Sequence, residues 1–200
     1  MGLKNPGSST IVTSISSGVI TATSVAADAI GASELAADAV EEIVDGVWDQ
    51  GVAGHITTAT FGAGVPRHAT KSLTFTGAAN FGQSTTNAAM FTVTGEVLIV
   101  SIAGFCATDL AGVASTVSLG VTSSVALFIA ATTATTVDTG LFWVSATPTA
   151  NGIALPAACK DIIITDNIVI ASATQDTTGG VLRIDVFWLP LSSDAALVAA

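Results

Sequence analysis

Through residues 15–40 the chain sets a branched apolar residue at every fifth position: Ile15, Ile20, Val25, Ile30, Leu35 and Val40. Ala-Ala-Asp-Ala recurs ten residues apart within it, at 26–29 and 36–39. Five residues turn a helix by about 500°, so on a helix this set spirals around the axis and makes no stripe. On a strand, an odd spacing sends successive members to opposite faces. One copy therefore cannot bury the whole row on one side. The spacers, mostly Ala, Ser, Thr, Gly and Asp, are too small to build a core of their own. Three copies wound together could bury all six branched residues against each other. The alternative is a disordered arm of low complexity; the regular spacing favours the intertwined arm.

From Ser33 the period changes. Leu35, Ala36, Val40, Ile43, Val44, Val47 and Trp48 recur at three and four, an amphipathic helical stripe. Ser33 suits an N-cap with Glu34 in the first turn, and Gly51 with Gly54 mark the end. The opposite face carries Asp38, Glu41, Glu42, Asp45 and Asp49. Ala36, Val40, Ile43 and Val47 also fill a and d places of just over two heptads, too short to hold a coiled coil alone. Two roles stay open for this helix: a clamp between the arm and a folded trimeric domain, or a stripe packed on its own β domain.

The pair "AADAIGASEL" resembles the decad repeats in the shafts of bacteriophage tail and head fibre proteins. The stretch that follows, "AADAVEEIVDGVWDQGVAGHITTATFG", resembles a segment of phage virion proteins just downstream of such repeats. The likeness covers roughly residues 15–62, under a third of the 200-residue chain. It implies a virion component, often a homotrimer, attached through its N-terminal arm to major capsid or other virion proteins. No catalytic residue belongs to the pattern, so none is carried over.

The remainder reads as β. Half of the chain is hydrophobic and a tenth charged, a composition rich in small and β-branched residues that suits a β protein with much of its surface protected by neighbours. "GVAGHITTATFGAGVPRHA" is a connector with one short strand at 55–61. Strands are expected at 72–76, 90–94, 96–103, 115–121, 125–130, 140–145, 161–165, 167–173 and 181–189. Turn-rich pieces such as "TGAANFGQSTTNA" and "TQDTTGG" separate them. The expected organisation is an extended pentad-repeat arm (1–32), an amphipathic helix (33–50), a Gly-rich connector (51–71) and a mainly β, jelly-roll-like β-sandwich (72–200). Phe91, Val93, Leu98, Val100, Phe128, Ile163 and Val186 are the expected core.

Parts for catalysis are scarce. His55 and His68 fall in the connector, thirteen residues apart, without His-x-x-x-His spacing or a nearby Cys, so no zinc site is expected. There is no Gly-x-Ser-x-Gly elbow, no phosphate loop, and no pair of carboxylates that stands out as acid and base. Asp166 could serve a calcium site between loops, but a solvated carboxylate is the simpler reading. The expectation is a protein that is no enzyme and carries no cofactor or metal.

The net charge is −10. Seven acidic residues lie between Asp28 and Asp49, and no Lys or Arg occurs from Asn5 to Pro66. Five scattered basic residues cannot displace counterions from phosphates, which argues against nucleic acid as a partner. The acidic run is either a solvated face or a surface that docks on a basic partner. The longest uncharged stretch, 110–137, holds ten Ser or Thr and two Gly, unlike the roughly 20 mainly apolar residues of a spanning helix, so no membrane partner is expected. "MGLKNPGSST" lacks the apolar core of a secretory signal.

Cys106 and Cys159 read as buried free thiols, with a cross-strand disulfide left open. In "GLFWVS" and "DVFWLPLS" adjacent Phe and Trp point to opposite faces of a strand, so at least one of each pair is expected to be buried, in core or subunit contact rather than on an exposed platform for sugars. The expected function is a capsid decoration or cement protein, or a short head fibre, located in the virion. A tail-fibre module that recognises host glycan is the alternative. The contacts expected to hold the oligomer and its attachment are Ile20, Val25, Ile30, Leu35, Val40, Ile43, Val47 and Trp48.

Overall fold

A computed structural model describes residues 64–200. The expected arm, the helix 33–50, the strand 55–61 and all eight expected attachment contacts lie outside the described residues. What is described is mainly β: β1 (Arg67–Thr74), β2 (Asn87–Thr94), β3 (Val97–Ala111), β4 (Thr116–Val121), β5 (Ser124–Thr133), β6 (Phe142–Trp143), β7 (Ile162–Ile164), β8 (Ile168–Ala173), β9 (Gly179–Pro190) and β10 (Ala196–Ala199).

Two five-stranded sheets result, with every pairing antiparallel. In sheet 1 the order is β1-β9-β3, and both β6 and β7 lie on the far edge of β3. There β7 is opposite Val97–Ile99, and β6 is opposite Gly104 and Phe105. Sheet 2 runs β10-β2-β8-β4-β5. Alternation supplies the core that joins them. On β9 Leu182, Ile184, Val186 and Trp188 are buried, while Arg183 and Phe187 between them are exposed. Met90, Val93, Leu119, Ile129, Ile168, Ile170 and Leu197 of sheet 2 belong to the same buried cluster. Each large aliphatic side chain so buried contributes about 1.5–3 kcal/mol, and the shared core is that of a β-sandwich.

Trp143 anchors one side of that core. Its indole is fully buried, and Nε1 donates to Thr132 Oγ1 at 2.9 Å. The Thr132 hydroxyl in turn donates to the Ala130 carbonyl at 3.0 Å, so the buried polar atoms are satisfied. Glycine at 104 makes the room: a Cβ there would lie 2.9 Å from the Trp143 carbonyl oxygen and 3.0 Å from the ring.

Of the nine expected strands all are present, with shifted ends, and β10 is additional. The first begins at Arg67, not Ser72, so His68 belongs to a strand rather than the connector. β3 continues to Ala111, eight residues past its expected end. Phe91, Val93, Phe128 and Val186 are buried as expected. Ile163 is not, at 63% exposed, because the strict alternation of β7 turns Ile162 and Ile164 inward and Ile163 outward. Leu98 and Val100 are half-buried: Val97 and Ile99 take the inward places, and a bulge follows between Ile99 and Ser101.

Both cysteines are free and buried, so the disulfide is not formed. The Cys106 thiol donates towards the carbonyls of Thr108 and Val137, and the Cys159 thiol towards those of Val144 and Phe128. Burial pushes the Cys159 thiol up to about 11. Burial raises Cys106 as well, with the charges of Asp109 and Asp138 adding to it. At neutral pH both are protonated and unreactive.

Candidate interaction face

The outer face of sheet 1 combines exposed aromatics with a small ionic cluster. Three cross-strand rows build it, because directly opposed residues share a face. Ile163, Leu98 and Leu189 stand side by side across β7, β3 and β9. His68, Phe187 and Ser101 follow across β1, β9 and β3, with the His68 ring stacked on Phe187 at 4.7 Å and 24°. Further along, Phe142 meets Phe105 edge-on at 5.5 Å, and the Arg183 guanidinium lies 5.1 Å above the Phe105 ring. Phe187 is 44% and Phe142 38% exposed. Beside Phe142 an apolar cleft of about 210 Å³ opens between Ala103, Val144, Ile153 and Leu155.

Asp185 ties these rows together. Its carboxylate accepts from Arg183 Nε at 2.8 Å and stands 3.2 Å from His68 Nε2. Its own partial burial works to raise the carboxyl pKa. Hydrogen bonds from Arg183, Thr70 and His68, with the Arg183 charge, outweigh that and hold it below the ordinary carboxylate value. A depressed carboxylate adds stability above its unfolded pKa and loses it as pH falls through the folded one. The thermal midpoint is therefore expected to stay level from about pH 7 to about 5 and to fall below about 4. Asp185→Asn should lower the neutral value and flatten part of the acid decline. Thermal melts at both ends of that range check this, and parallel curves for the two proteins would refute it.

A second feature lies at the other end of the sandwich, away from Arg67. Loops after β1, β3 and β8 line an open, shallow cleft of about 540 Å³, bordered by Ser84, Gly112, Val113, Thr174, Gln175, Asp176 and Thr178. Asp176 Oδ1 accepts from the Ser84 backbone N–H at 2.8 Å and its hydroxyl at 2.9 Å, which hold the carboxyl pKa low. Next to it three buried hydroxyls pin the loops: Thr177 Oγ1 lies 2.6 Å from Ser115 Oγ and 3.0 Å from Ser172 Oγ. None of these hydroxyls has a histidine or carboxylate partner, so none is poised as a nucleophile.

Among the described residues no three His, Cys, Asp or Glu side chains gather where a metal could sit, and no helix is long and apolar enough to cross a membrane. Asp161 lies in a left-handed conformation (φ 57°) ahead of β7, and an Asp166 carboxylate oxygen accepts from the Ser123 N–H at 3.3 Å. Both tryptophans turn inward and the neighbouring Phe142 and Phe187 outward, so the Phe-Trp pairs divide as their adjacency requires. The His68–Asp185–Arg183 cluster was not legible in the sequence, since 117 residues separate His68 from Asp185. The alternating Arg183, Asp185 and Phe187 were the available signal, a strand with one polar and aromatic face. No protein-family model, curated protein or solved structure matches the chain.

Proposed function

We propose that this chain is a non-enzymatic structural protein of a bacteriophage virion, a capsid decoration or cement protein or a short head fibre. Its architecture, in this reading, is an extended N-terminal arm and one short α-helix that trimerise and attach to the major capsid or another virion protein, followed by a displayed jelly-roll-like β-sandwich. The observation that carries the reading is the fibre-like decad segment joined to a sandwich of a particular strand order. In sheet 1 β9 lies between β1 and β3 with β6 and β7 on the far edge of β3, and sheet 2 runs β10-β2-β8-β4-β5; sequence-distant strands as neighbours in both sheets support the jelly-roll reading. The exposed aromatic and aliphatic residues on the outer face of sheet 1, Phe142, Ile163 and Phe187, offer area for packing against a neighbour. Three linked copies would turn weak contacts of this kind into avidity.

The loop cleft favours a second reading, a tail-fibre module that binds host glycan, because it opens at the end of the sandwich opposite the start of β1. None of the described residues that line it is aromatic, so none offers a ring for a sugar to stack on, which is why the first reading is preferred. Antibodies against the β domain, located on intact particles by electron microscopy, separate the two. Labelling over the head supports decoration, and labelling at tail tips supports receptor binding. Particles without label would overturn both.

A further inference from the structure

We propose that Asn151 is a site of spontaneous covalent modification, deamidated by attack of the Gly152 backbone nitrogen on its side chain. Both residues lie in the irregular segment between β6 and β7, and both are exposed. A Cβ on residue 152 would meet nothing within 4 Å, so its nitrogen is unshielded and the backbone can turn to bring it against Asn151 Cγ. Among the described residues neither the Asn151 side-chain amide nor the Gly152 N–H has a hydrogen-bond partner. Thr149 Oγ1 stands 3.5 Å from the Asn151 carbonyl, a long contact that restrains it little.

The step needs only these two residues and water. The Gly152 nitrogen loses its proton and bonds to Asn151 Cγ, the Cγ–Nδ2 bond breaks, and ammonia leaves. Water then opens the cyclic imide at either carbonyl, giving aspartate or isoaspartate, each with a new carboxylate. The other asparagines lack this freedom. Phe81 follows Asn80, and its N–H is tied to the Ala78 carbonyl at 2.9 Å. Ala88 follows Asn87 and is buried within β2. Asn167 Oδ1 accepts from the Val93 N–H at 2.8 Å, and the next residue is the buried, β-branched Ile168. Asn5 precedes a proline, which has no N–H to lose.

The product alters the candidate interaction face. Just before Asn151, Thr149 exchanges backbone hydrogen bonds with Phe142 at 2.8 and 3.0 Å. Just after it, Gly152, Ile153 and Leu155 line the apolar cleft beside Phe142. Deamidation adds a charge next to that rim, and the isoaspartate form lengthens the chain there by a methylene. The inference does not rest on the virion reading.

The full chain is held in mildly alkaline buffer, which favours the deprotonated amide nitrogen, and its chymotryptic peptides are weighed over time. The peptide with Asn151 should gain about one dalton and resolve into two isomers, while those with Asn80, Asn87 and Asn167 keep their mass. Gly152→Val sets a branched side chain beside the attacking nitrogen, and Asn151→Gln moves the amide one methylene away. Residue 152 has open space around it, so the variants should keep the β-rich circular dichroism of the wild type and lose the mass gain. An unchanged Asn151 peptide in the wild type overturns the proposal. Conversion of Gly152→Val at the wild-type rate overturns it too, because the attacking group is then not the nitrogen of residue 152.

Discussion

Replacing Trp143 with alanine is expected to destabilise the β domain by about 3–5 kcal/mol, the range for removing a fully buried aromatic. Two losses add. The ring leaves a void next to Gly104, whose missing side chain had been the space the indole filled. Thr132 also loses the donor to its buried hydroxyl, since Nε1 supplied it at 2.9 Å. Trp143→Phe should recover most of the packing but not the hydrogen bond, and should fall between the two. Urea unfolding of the three proteins measures this. A Trp143→Ala midpoint within error of wild type would show that β6 is peripheral to the sandwich. The outer face makes the contrast: Phe187→Ala removes a ring that is 44% exposed and stacked only on His68, and should cost far less.

The second large effect concerns assembly. If three chains share the pentad arm and the Val40, Ile43, Val47 stripe, Ile43→Asp brings three like charges into one apolar seam. Burying a single unpaired charge costs several kcal/mol, and repulsion near a threefold axis compounds it. The variant is expected to dissociate at micromolar concentration and to lose particle attachment, while its β domain, with a core of its own, stays folded. Light scattering with circular dichroism on the same samples tests both halves. A wild-type monomer would end the case for trimers outside the particle. A trimeric variant would show that the β domains alone hold the assembly.

The strands were legible wherever period two was clean. Leu182 to Trp188 alternate without interruption, and β9 was found nearly to the residue. Legibility failed where the alternation slipped. In β3 the bulge after Ile99 changes which parity faces inward, so Leu98 and Val100 were placed in a core that Val97 and Ile99 occupy. The far half of β3, from Gly104 to Ala111, carries Gly104, Ala107, Asp109 and Ala111. Those residues have low strand propensity and are held by β9 and β6 rather than by their own preference. β10 was missed for the same reason, since "ALVA" is too short to declare itself. The ionic cluster on sheet 1 was beyond reach altogether. Its members come from β1 and β9, and only the fold makes them neighbours.

The placing of β8 and β9 has a consequence for how the chain is made. These late strands are not edge strands: β9 lies between β1 and β3, and β8 between β2 and β4. Sheet 2 cannot close before β8 has been delivered, nor sheet 1 before β9. At about 5–20 residues per second, β1 waits on the order of ten seconds for its only partner strand in the sheet. Throughout that interval the nascent chain exposes unpaired β edges, the condition in which chaperone holding matters most. A chain that terminates before Gly179 lacks the middle strand of sheet 1 and leaves β1 without a neighbour, so translation that stops short yields a product that quality control can recognise as unfinished.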